Sequence, residues 1–158
     1  MSKKNTAVQL FKVAEIELVY RSKIKAQDRP LVTHSFEAYE ILRGTWDDNK
    51  IELLEQFKIM LLDRKNSCLG ITEIASGGTD FCPIDPRLIF MTALKANASA
   101  IVLAHNHPSG NLKESKSDIE LTKRVIQAGD LLGIRVLDHL IITADGYASF
   151  EDKLLMPR

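Results

Sequence analysis

Ala100-Ile101-Val102-Leu103-Ala104-His105-Asn106-His107-Pro108-Ser109-Gly110 is the stretch on which the reading of this chain turns. A short apolar run ends in two histidines and is broken by Pro-Ser-Gly, which reads as a buried strand running into a loop. Side chains two apart on a strand share a side, so both imidazoles face one point. Ser115 and Asp118 follow at fixed distance, giving the pattern H-x-H-x7-S-x2-D. Two imidazoles and a carboxylate form the ligand set of a catalytic zinc that keeps a fourth position for water.

Each residue also has a plainer reading. A lone histidine on a strand is commonly a hydrogen-bonded structural residue; two on one face beyond Ile101 and Leu103 favour ligands. Ser115-x-x-Asp118 has the form of a capping box, in which the serine side chain caps a helix and the acid reaches back. Beside two histidines, that same acid becomes the candidate third ligand. The positive end of a helix would hold it ionised, as metal binding requires.

A hydrolytic site needs a base, and Glu73 is the candidate. On a strand starting at Cys68, residues Leu69, Ile71, Glu73 and Ala75 share a face, three apolar and one acidic. Burial there would raise the carboxyl pKa toward neutrality, while an exposed edge strand would leave it an ordinary surface acid. His139, following Leu137 on a strand face, reads as a packed or supporting residue rather than a fourth ligand.

Working outward, alternation from Val8 to Ile24 predicts an extended, partly exposed strand, and Gln27-Asp28-Arg29-Pro30 breaks it. Ser35 is expected to cap a helix that stops at Gly44. Glu52–Phe57 is ambiguous. Phe57–Leu62 and Cys68–Ala75 read as two strands around an Asp63–Asn66 turn. Asp85-Pro86 opens a helix to about Asn97. Ala100–His105 is a strand, Ser115–Leu132 a helix stopped by Gly133, and Ile134–Thr143 and Tyr147–Phe150 two more strands. The pattern predicts a single α/β domain, a mixed β-sheet flanked by α-helices. Residues 1–29 would form an arm and residues 30–158 the domain.

Bulk properties set bounds on function. The 158 residues are 45% hydrophobic, enough for one core, and basic and acidic residues number 21 each. A neutral domain is a poor sequence-blind binder of nucleic acid. The arm is locally basic, with seven Lys or Arg against Glu15, Glu17 and Asp28, which reads as a solvated face. Cys68 and Cys82 are too few for a disulfide framework and read as core-lining thiols. The chain has no long apolar run and no signal-peptide core, so a cytoplasmic location is expected. Exposed edges such as Val13–Leu18 leave pairing with another copy open.

The chain resembles the JAB/JAMM (MPN-type) zinc metalloproteases, and among them the RadC-like proteins. The similarity runs over roughly Pro30 to Met156. It is carried by His105 to Asn111, Ser115 and Asp118, with Gly77-Gly78-Thr79, Asp85-Pro86-Arg87, Ala93 to Ala98 and Arg135 to His139. Such a resemblance implies the JAB/MPN fold, similar to cytidine deaminases in architecture. It implies Zn²⁺ on His105, His107 and Asp118, with Glu73 as general base and Ser115 steadying the oxyanion. The implied activity is hydrolysis of an amide bond in a peptide or protein substrate. Ser76-Gly77-Gly78-Thr79 is one residue longer than the family's Ser-Gly-Thr, and the helix-hairpin-helix segment of longer RadC proteins has no counterpart here.

Two rivals stand beside that reading. A non-catalytic DNA-repair or nucleic-acid accessory module is suggested by the RadC resemblance, and is opposed by the neutral charge and the lack of a DNA- or RNA-reading motif. A zinc deaminase would need H-x-E and P-C-x-x-C, and neither is present. The string His-Asn-His also matches the name of a nuclease class whose motif is much longer, so it carries no weight.

Overall fold

Two nearly continuous apolar runs make the centre of the sheet. Strands β1 (Gln56–Leu62) and β3 (Ala100–Asn106) are buried at every position, as befits strands covered on both faces. The computed structural model describes residue 14, residues 16–78 and residues 83–157. Within them the elements run α1 (Ser35–Arg43), β1, β2 (Cys68–Ser76), α2 (Pro86–Lys95), β3, α3 (Lys116–Leu132), β4 (Arg135–Ile142) and β5 (Tyr147–Ser149). The strand order is β2-β1-β3-β4-β5. β3 and β4 are parallel and the other neighbours antiparallel, so the sheet is mixed, as the sequence pattern predicts.

Local chemistry explains the ends of these elements. Asp63 turns β1 into β2 by accepting from the amides of Lys65 (2.8 Å) and Ser67 (3.0 Å). Asp85 caps α2 through the Arg87 amide at 2.9 Å, with Pro86 in its first turn. Gly133 ends α3 at φ 68°, a left-handed position that suits glycine. The first helix corrects the expectation by one residue: His34 is its cap and Ser35 its first residue. The Glu37 carboxylate reaches back to the His34 amide at 3.1 Å.

The sheet has a core on each face. Val32, Ala38, Leu42, Trp46 and Ile51 pack on Met60, Leu62, Val102 and Leu140 on the α1 side. Phe57, Ile59, Leu61, Ile101 and Leu103 meet Ile89, Phe90, Ala93 and Val125 of α2 and α3 on the other. β2 is bulged twice. Leu69 and Ile74 each have no partner in the β1 register, and both turn to the α2/α3 face, while Ile71 turns to the α1 face. The single shared face expected for Leu69, Ile71, Glu73 and Ala75 is therefore split.

The expected strand over Val8–Ile24 does not form among the described residues of that segment: Ile16 to Ile24 carry no strand, and Ile16 is 94% exposed. Ala14 carries no strand either; the rest of that segment, like Thr79 and Cys82, lies outside the described residues. Cys68 is buried, which pushes its thiol pKa up. No helix among the described residues is long and apolar enough to cross a membrane.

Candidate metal centre

β3 delivers His105 on the α2/α3 face, where it stacks on Phe57, and His107 follows at the strand's end. α3 begins beside them and brings Asp118 in its first turn. One ligand atom from each of His105, His107 and Asp118 lies within 4.8 Å of the other two. Asp118 Oδ1 is 3.3 Å from His105 Nε2, and Oδ2 is 3.8 Å from His107 Nε2. Capping and ligation are not alternatives here. The Ser115 hydroxyl accepts from the Asp118 amide at 3.1 Å and Asp118 Oδ2 accepts from the Ser115 amide at 2.7 Å, while Oδ1 faces His105. Burial raises this carboxyl, but bonds and charge from His105 and the Ser115 amide outweigh it and hold the pKa well below the usual carboxylate range.

The donor set calls for a cation. His107 Nδ1 lies 2.6 Å from the Asn111 carbonyl, which can only accept, so in the neutral ring its Nε2 carries a lone pair. His105 Nε2 stands 2.9 Å from it, and His105 Nδ1 is already engaged 2.8 Å from His139 Nε2. When the neutral His105 ring carries its hydrogen on Nδ1, two nitrogens and a carboxylate oxygen converge with no donor among them. A metal ion satisfies all three, so these residues fit the group that the sequence pattern implies.

Glu73 is not brought to this cluster. It pairs with Lys58 across β1 and β2, is exposed, and accepts from Gln56 Nε2 at 2.7 Å, on the sheet face opposite His105. The placement expected of Glu73 as base is corrected by the bulge at Ile74, which sets it on that opposite face. An acid that does stand beside the cluster is Glu55. It lines a cavity of about 400 Å³ together with His107, Ser109, Ser115, Ser117 and Asp118. Burial pushes its carboxyl pKa up; His105 and His107 partly offset that and Asp118 adds to it.

Glu55 is clamped from two sides. Its amide donates to the Gly78 carbonyl (3.2 Å), and its own carbonyl accepts from the Gly77 amide (2.8 Å). Asn106, wholly buried between the two histidines, points to the opposite face. It accepts from the Gln56 amide (2.7 Å) and Trp46 Nε1 (3.1 Å) and donates to the carbonyls of Ile51 (2.7 Å) and Leu54 (2.9 Å). All of its hydrogen-bonding capacity is used in holding the segment that presents Glu55. Sequence reading left Glu52–Phe57 ambiguous and passed over both residues. The available signal was parity: Glu55 precedes Phe57, Ile59 and Leu61 by steps of two, which puts it on the histidine face.

A mixed sheet covered on both faces, with a His-His-Asp cluster at one strand end, defines a JAB/MPN-type α/β domain. The family model for the RadC-like JAB domain matches residues 32–155, and the chain belongs to that family. It is similar to UPF0758 protein STH371 of Symbiobacterium thermophilum, 42% identical over 65% of this chain and 44% of the relative. UPF0758 protein TTE0897 of Caldanaerobacter subterraneus is 35% identical over 89% of this chain and 59% of its own length. UPF0758 protein tlr1707 of Thermosynechococcus vestitus is 45% identical over 62% and 39% respectively. The chain therefore spans about half the length of the curated relatives it matches.

Proposed function

We propose that this domain is a zinc-dependent hydrolase of amide bonds in a peptide or protein substrate. The observation that carries the reading is the convergence of His105, His107 and Asp118 beside a cavity lined by His107, Asp118 and the raised-pKa carboxyl of Glu55. His105 and His107 would supply imidazole nitrogens and Asp118 a carboxylate oxygen. A bound zinc supplies Lewis acidity and a nucleophilic water at neutral pH.

The remaining work falls to the chain. Glu55, ionised and held at the cavity wall by its backbone pairs, accepts a proton as the nucleophile forms. A carboxyl with a raised pKa retains that proton and returns it to the departing amine. The Ser115 oxygen accepts from the Asp118 amide, which leaves the hydroxyl hydrogen able to donate to the developing carbonyl oxyanion. Its other neighbour is the Ser117 hydroxyl at 2.8 Å.

The test is metal content by mass spectrometry on wild type and His107→Ala purified without added metal, followed by cleavage of a quenched-fluorescent peptide library. About one zinc per chain, lost in the variant, together with chelator-sensitive cleavage, supports the reading. A protein that takes up no zinc when it is supplied overturns it.

A further inference from the structure

His139 reaches the metal cluster because β4 is bulged. The β3–β4 register pairs Ile101 with Val136 and Val102 with Asp138, leaving Leu137 without a partner, and then pairs Leu103 with His139. Val136 packs on the α2/α3 face and Leu137 on the α1 face. Unbroken alternation from Val136 would send residue 139 to the α1 face. The extra residue returns it to the side of Leu103 and His105.

There the ring is fully buried between Phe150, at 4.8 Å between centroids, and the edge-on ring of Phe57 at 5.7 Å. Its Nε2 lies 2.8 Å from His105 Nδ1, and its Nδ1 lies 2.7 Å from Thr122 Oγ1. Thr122, also wholly buried, sits one turn beyond Asp118 and donates to the Asp118 carbonyl at 2.6 Å.

These contacts have one consistent direction. A carbonyl only accepts, so the Thr122 hydrogen is committed to Asp118 and the Thr122 oxygen accepts from His139 Nδ1–H. With its hydrogen on Nδ1, the neutral His139 ring bears a lone pair on Nε2. That lone pair takes the hydrogen of His105 Nδ1. His105 is left with a lone pair on Nε2, the atom that faces His107 and Asp118.

We propose that His139, oriented by Thr122, is the positioning residue that locks His105 in its Nδ1–H tautomer and so makes Nε2 a metal ligand. The chain of bonds begins on the backbone of one ligand, Asp118, and ends on the side chain of another, His105. It therefore ties the first turn of α3 to the end of β3 in the geometry the metal needs. The inference rests on the zinc reading above.

The test uses three variants, each checked for cooperative unfolding. His139→Leu removes both contacts. Thr122→Val is near-isosteric and removes only the acceptor that orients the ring. In His139→Gln the amide oxygen can accept from His105 while the amide nitrogen donates to Thr122. Imidazole nitrogen shifts in the metal-free protein, recorded by NMR where the rings are neutral, read the tautomer directly. Chelator competition reads zinc affinity. Wild type is expected to show His105 as Nδ1–H. His139→Leu and Thr122→Val are expected to show mixed tautomers and about 10- to 100-fold weaker zinc binding, with His139→Gln recovering most of the loss.

An unchanged His105 tautomer and zinc affinity within about twofold of wild type in folded Thr122→Val would overturn the proposal. That variant decides the matter if His139→Leu does not fold. A wild type with the tautomer locked but no zinc affinity would instead overturn the metal reading, so the two failures are separable.

Discussion

At the scale of single residues, Glu55 and Glu73 divide one expected role by environment. Glu73 sits among solvent, Gln56 and Lys58; Glu55 is half-buried beside two imidazoles and a carboxylate. Glu55→Gln is therefore expected to abolish peptide cleavage while zinc content stays at the wild-type level. Glu73→Gln is expected to leave both unchanged, and turnover of a cleaved library peptide by the two variants compares them directly. The raised carboxyl also predicts a stability effect. Its folded pKa lies above the unfolded value, so protonation favours the fold, and stability falls as pH rises past about 4.5, the ordinary glutamate value. Metal-free Glu55→Gln is expected to unfold at a higher temperature than wild type at pH 7. The difference is expected to shrink to nothing in acid, where both proteins are uncharged at this position. Thermal melts across that range, without metal, measure it.

At the scale of elements, bulges decide what the strands present. The two in β2 carry Glu73 away from the histidines, and the one in β4 carries His139 toward them. Helix α3 must then start and lie in one place. Its cap is Ser115, so Ser115→Ala is expected to cost about 1 kcal/mol in urea unfolding besides slowing cleavage. Its seating on β4 depends on Gly129, where an added Cβ would stand 2.4 Å from the Ile134 carbonyl oxygen. Backbone cannot yield as a side-chain tip can. Gly129→Ala is expected to push α3 off the sheet, cost about 1–3 kcal/mol and weaken zinc binding, because Asp118 rides on the same helix. Equilibrium unfolding and chelator competition on that variant check both effects.

At the scale of the molecule, the sheet separates a support face from a chemical one. Asn106 reaches into the α1 side to hold the segment bearing Glu55, while its neighbours His105 and His107 serve the α2/α3 side. The candidate ligands come from β3 and α3, so a bound ion would join two elements and oppose unfolding. At free zinc about 1,000 times the dissociation constant, the gain is about 4 kcal/mol. Chelation is accordingly expected to lower the melting temperature of wild type and leave that of His107→Ala where it was.

What the sequence determined by itself was the local chemistry: two histidines on one strand side, an acid in the first turn of the next helix, and helix ends marked by Asp85-Pro86 and Gly133. Each depends on spacing within one or two elements, and spacing is what a sequence records. Only the tertiary structure decided that Glu55 rather than Glu73 faces the cluster, because Glu55 is held by Gly77, Gly78 and, through its neighbours, an asparagine about 50 positions away. Only it decided that His139 stands behind His105, because a single unpaired residue in β4 reverses the strand's alternation. Strand pairing over long separations chooses the register, and a bulge of one residue changes the face of everything beyond it.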